Sequence, residues 1–285
     1  MRQTYDLAIA SLKMLLRDRA ALLAAAIFPV LFLLVFSLYD LSIAPGGDLG
    51  VGTAAGSLDY FDFVLPGMLA LGLMNFTMVG MAGSVARFRE TKVLRRLTAA
   101  PVSPSAFIAG QVIARLVVSI AQVLLLLGLG VALGASVVGN PLWLLALALL
   151  GNLTFLAFGF ALAGRAPSVD AANNLAGLAT MPLMFLSGMF FPLESLPSAM
   201  RTVADLLPIT PLVEAMRAVA LQGVGLGDVR VELVQLAIWA VVGFGLARLS
   251  FRMSDARPAR ARRRRGATVE RDDAGDLAEA GAGAV

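Results

Sequence analysis

Apolar residues fall along this chain in long blocks separated by short polar islands, and the block lengths predict membrane helices. Residues 20–39, 63–85, 106–133, 142–163, 174–191 and 231–249 each lie at or near the ~20 residues that carry a helix across ~30 Å of hydrocarbon. Pro29 falls inside the first block and predicts a kink there. Ahead of it, Tyr5, Ile9, Leu12 and Leu16 recur at helical spacing, with Arg2, Asp6, Lys13 and Arg17 elsewhere around the wheel. That pattern suits an amphipathic helix lying in the membrane interface, its basic residues toward anionic headgroups. The basic charge is spread too widely for a signal peptide.

Between the fifth and sixth blocks the pattern changes. Residues 191–223 are punctuated by proline and too polar to span, yet Met200, Val203, Leu206, Leu207, Val213, Met216 and Val219 keep a helical apolar face. The expectation is two short amphipathic helices broken at Pro208 and Pro211, half-embedded or re-entrant. Glu214 and Arg217, three apart, are placed to pair on one face.

The polar islands differ sharply in sign. Residues 40–62 carry Asp40, Asp48, Asp59 and Asp62 and no basic residue, whereas residues 87–104 crowd Arg87, Arg89, Lys92, Arg95 and Arg96 around Glu90. Of the 23 Lys and Arg residues, only Arg201, Arg217 and Arg230 fall in segments assigned to the outside. The positive-inside rule then gives six spans with both termini cytoplasmic. Residues 1–252 form the permeating domain in this reading. Residues 253–285, Arg-rich and then acidic, form a disordered cytoplasmic tail.

Composition narrows the chemistry. Hydrophobic residues make up 59% of the chain and charged ones 15%, with a mean hydropathy of +0.83. There is no histidine and no cysteine, which removes the commonest general base, metal ligand and covalent nucleophile. No catalytic constellation emerges, and no cofactor, metal or nucleic-acid motif. The polar residues within spans are mainly neutral, with Asn75 and Arg115 the candidates for intramembrane polar contacts. A proton-coupled transporter usually needs an embedded carboxylate, and none lies away from the span ends. The energy source is therefore expected outside the chain, and the basic helix at 87–100 is a plausible receiver. A self-sufficient secondary transporter or channel is the alternative.

Three stretches carry a family resemblance. Arg89-Glu90, followed by Leu94-Arg95-Arg96-Leu97 and Pro101-Val102-Ser103, resembles the cytoplasmic loop of ATP-binding-cassette type-2 permeases. PLMFLSGMFFPLESLP at 182–197 resembles that family's end of span five. LPITPLVEAMR at 207–217 is similar to its proline-broken re-entrant helices. The order is the family's, and the wording is closest to the daunorubicin-resistance type of drug-efflux permease. One departure stands out: the family often has a glycine-threonine step after the glutamate, where this chain has Thr91-Lys92-Val93.

The resemblance implies an all-α membrane subunit of a bacterial exporter, in the inner membrane, that moves an amphiphilic drug or lipid-like molecule outward. It implies antibiotic resistance as a setting and no catalysis by this chain. Two separate ATPase subunits would carry ATP and Mg, and a second permease copy or a paralogue would complete the pore. Residues 5–16 would be its elbow helix. Arg89, Glu90, Leu94, Arg95, Arg96 and Leu97 would be its ATPase-coupling residues, with Pro208, Pro211, Glu214 and Arg217 in its re-entrant segment.

Overall fold

The computed structural model describes residues 2–43, 52–53, 56–57, 60–91 and 104–255, and it is helical throughout apart from one minimal hairpin. In chain order come α1 (Arg2–Arg17), α2 (Arg19–Ile43), β1 (Gly52–Thr53) and β2 (Gly56–Ser57). Then follow α3 (Tyr60–Met74), a π-helical segment (Asn75–Val79) and α4 (Gly80–Glu90), which together make one continuous rod. Next are α5 (Pro104–Ala132), α6 (Pro141–Arg165) and α7 (Val169–Leu186). Two short helices, α8 (Ser198–Asp205) and α9 (Thr210–Gln222), precede α10 (Arg230–Asp255).

Among the described residues, four helices are long and apolar enough to cross a membrane: 60–90, 106–132, 141–165 and 230–250. The 18-residue α7 and the 25-residue α2, whose described apolar core is 26–38, lie outside that set. The fifth block differs most from expectation. Its helix begins at Val169 rather than at 174 and stops at Leu186, because Ser168 caps its start by accepting from the Ala171 N–H at 3.1 Å. The predicted loop 165–173 shrinks to a tight turn. α2 continues as one helix through Pro29.

The rod is the axis of the molecule. Every residue from Phe61 to Met74 is buried, enclosed by α2, α5, α6 and α9. A helix apolar on all sides is one wrapped by others. α10 behaves oppositely: it packs along α6 and leaves Val231, Val234, Ile238, Val241 and Phe244 exposed at helical spacing. Such a stripe is what lipid would cover.

α1 packs on α5 through Ala8 and Ser11, and Gln111 Nε2 donates to Ser11 Oγ at 2.9 Å. Tyr5, Met14 and Leu16 are left exposed. Ile9 and Leu12 are half-buried beside this contact, and Asp6, Lys13 and Arg17 stay exposed.

The proline-rich segment folds more deeply than its composition suggests. α9 is buried along Thr210–Val213, Ala215, Met216, Val219 and Ala220, between α3, α6 and α10. The chain break falls at 206–209, so Pro208 lies in the turn. Pro211 does not break anything. It sits in the first turn of α9, where its missing N–H costs no helical bond. At the far end of α9 the Ala220 carbonyl accepts from the Val138 and Gly139 N–H groups of the α5–α6 loop, at 2.9 and 3.2 Å. Those bonds satisfy a carbonyl that the helix end would leave bare.

Candidate functional site

Two sets of functional candidates meet along the second half of the rod. At its end, Arg89 and Glu90 grip the turn between α6 and α7. Arg89 Nη1 donates to the carbonyls of Ala163 at 2.8 Å and Ala166 at 3.2 Å, with Gly164 at 3.5 Å. These carbonyls close α6, where the helix dipole favours a cation. Glu90 Oε1 accepts from the Val169 N–H at 2.8 Å, at the start of α7, where the dipole favours an anion. Each charge therefore caps a helix end of its own sign preference. The pair, adjacent in sequence, latches a turn more than 70 residues away.

Leu94, Arg95, Arg96 and Leu97 lie outside the described residues. Arg89 and Glu90, expected as coupling contacts, make these bonds within the chain, and Glu90 stays exposed. Sequence alone gave no signal for this, since their partners are backbone groups.

Further along the rod sits Arg115. An arginine in a span is expected to snorkel toward an interface; here it is 1% exposed and turned inward from α5. Nη1 donates to the Phe76 carbonyl at 3.3 Å. Nη2 donates to the Gly80 carbonyl at 2.7 Å and to Ser84 Oγ at 2.6 Å. The guanidinium carbon also lies 5.6 Å from the centre of the Phe76 ring. Phe76 belongs to the π-helical segment and Gly80 follows it directly. Widening one turn to i→i+5 bonding redirects carbonyls that a regular α-helix would use internally, and such turns cluster at functional sites. Thr77 Oγ1 adds a bond to the Leu73 carbonyl at 2.6 Å. Asn75 opens the same segment, so the structure brings both intramembrane candidates to one place.

The Arg115 environment borders a cavity of about 710 Å³ walled by α1–α2, the rod, α5 and α7. That is within the usual ~300–1,000 Å³ of small-molecule sites. Asn75, Ser84, Arg87, Arg115 and Asn173 are among its lining residues, as are Phe28, Met181 and Met184.

The third candidate group is separate from this cavity. Arg217 on α9 is anchored elsewhere than on Glu214: Nη2 donates to the Gly188 carbonyl at 2.8 Å and its guanidinium lies 3.7 Å from the centre of the Phe63 ring. It ties α9 to the end of α7 and the start of α3. Burial, with Glu232 and Asp205 adding to it, holds the Glu214 carboxyl above its ordinary range.

Against known sequences, the chain matches the ABC-2 type transporter family over residues 2–221. The chain belongs to that family. It is 26% identical to nodulation protein J of Rhizobium leguminosarum bv. viciae over 204 residues, covering 68% of this chain and 76% of that protein. A nodulation protein J of Rhizobium leguminosarum bv. trifolii is 32% identical over 127 residues, 43% of this chain and 48% of its own length. The probable multidrug ABC transporter permease YbhR of Escherichia coli K12 is 23% identical over 187 residues, 65% of this chain and 50% of that protein. The family is one of transporter permease subunits, in which ATP hydrolysis belongs to a separate subunit. The resemblance read from the three motifs is thereby confirmed at the family level.

Proposed function

We propose that this chain is the six-span permease subunit of a bacterial inner-membrane exporter, with both termini cytoplasmic. A separate ATPase subunit, in two copies, drives it, and a second permease copy or a paralogue completes the pore. The substrate is an amphiphilic, lipid-like or drug-like molecule. ATP and Mg belong to the partner; α1 is the elbow helix.

The observation that carries this reading is the Arg89–Glu90 latch. The rod ends at Glu90, and the segment that follows carries Lys92, Arg95 and Arg96. Force that a partner applies to the end of the rod reaches the α6–α7 turn through the charge-assisted bonds of Arg89 and Glu90. Glu90 thus acts as a positioning residue for the coupling segment, whereas Leu94, Arg95, Arg96 and Leu97 are the direct contacts. The drug-resistance setting is supported by the multidrug name of YbhR, whereas the nodulation proteins carry no drug in their name.

Two variants separate the roles. Leu97→Asp is expected to abolish co-purification of the ATPase together with export. Glu90→Ala should retain co-purification but lose most of the substrate-stimulated ATPase activity, and Glu90→Gln, which keeps an acceptor for the Val169 N–H, should recover part of it. Normal export in Leu97→Asp and Glu90→Ala would remove the coupling assignment.

A further inference from the structure

The cavity beside Arg115 has a polarity gradient along its length. On the rod the lining runs from Arg87 and Ser84 to Phe76; on α7 it runs from Asn173 through Thr180 to Met181 and Met184. From the α1–α2 junction onward the same order holds, Asp18 and then Leu22 and Phe28 of α2, while α1 itself adds the apolar Met14 and Leu15. One end, next to the latch, is polar and the deeper end is mainly apolar, with Asn75 beside Phe76 its polar exception. The eleven residues separating Arg87 from Phe76 correspond to roughly 16 Å of helix.

Charge is unbalanced in the same direction. Two guanidinium groups, Arg87 and Arg115, border the space against one carboxylate, Asp18. Arg115 is satisfied only by neutral acceptors, two carbonyls and a hydroxyl, and its buried Nε has no hydrogen-bond partner among the described residues. A buried charge in a membrane protein is normally offset by an opposite charge or marks a substrate path. In a low-dielectric wall its field reaches across the cavity with little screening.

We propose that this cavity binds a single-chain amphiphile with an anionic headgroup. The head is held at Arg87, Ser84 and Asn173 in the field of Arg115, and the tail lies along Phe28, Met181 and Met184. The inference deepens the export reading by naming a ligand class. It depends on that reading only for the cavity's purpose, not for binding.

The test uses the full chain in phosphatidylcholine nanodiscs with two matched probes carrying a photoreactive group at the tail end: dodecyl phosphate and dodecylphosphocholine. Dodecyl phosphate should label the peptides of Phe28 and Met181–Met184, with about a tenfold preference over the zwitterionic probe, the size of a charge-assisted bond. Arg87→Gln and Arg115→Gln should bring that ratio toward one. Because Arg115 also braces the rod, Gly177→Phe provides a second variant. A Cβ at Gly177, which lines the cavity, meets nothing within 4 Å, so the larger ring fills the space and should abolish labelling in a folded protein.

Two arms separate the ligand's source. Labelling by probe already in the bilayer points to a lipid, and labelling by probe added from water below its micellar threshold points to a soluble amphiphile. Equal labelling by both probes, labelling elsewhere, or full labelling of Gly177→Phe overturns the proposal. Export lost while labelling persists tells against the export reading alone, and labelling lost while export persists tells against this site alone.

Discussion

At the residue scale, the decisive side chains are those whose partners are backbone carbonyls and amides. Gly80 illustrates how tightly one is held. A Cβ there would sit 2.7 Å from Arg115 Nη1, so Gly80→Ala must push the guanidinium out of its seat. Overpacking of this kind costs about 1–3 kcal/mol, and thermal unfolding in detergent should show a lower midpoint than wild type. Gly177→Ala, which meets open space, should leave the midpoint within error. Sequence placed Arg115 in a span and marked it as the exception among neutral polar residues, but could not show the inward turn. The acceptors of Arg115 are two main-chain carbonyls and a serine on the rod, one of them in the π-helical segment at 75–79, and no residue pattern announces such a segment. Arg89 and Glu90 were legible as a motif and not as a latch, for the same reason: their partners are main-chain groups on α6 and α7.

At the element scale, hydrophobic patterning located most helices well, because helix length is set by bilayer thickness and caps. The second, third, fourth and sixth blocks each correspond to a long apolar helix in the structure. The patterning was weakest at α7, where an early cap at Ser168 moved the start, and at α9, where a half-apolar sequence proved almost wholly buried. Amphipathicity reports a helix's own composition; burial of its polar side depends on neighbours that only the tertiary fold supplies. α9 carries a clear expectation. Leu212, fully buried, faces Gly151 on α6, and Leu212→Asp should prevent accumulation of folded protein, read as loss of a monodisperse peak. α10 carries the converse. A spin label at Val241, 72% exposed on the stripe away from α6, should be relaxed by oxygen dissolved in lipid and not by an aqueous nickel chelate. Dominant relaxation by the aqueous reagent would contradict a lipid-facing α10.

At the scale of the whole molecule, a buried rod ends in a latch on the α6–α7 turn, a basic segment follows the latch, and a graded cavity runs back from it along the rod. The absence of histidine and cysteine from the sequence, and of carboxylates from the span interiors, removes the usual ways for such a chain to power itself. Family membership agrees, since the family's ATP hydrolysis resides on another subunit. The most direct measurement is transport of a dodecyl phosphate probe in proteoliposomes holding the purified chain, with and without its ATPase. The account predicts movement only when both ATPase and ATP are present, and its loss in Leu97→Asp. Probe movement by the chain alone, at an equal rate without ATP, would contradict it.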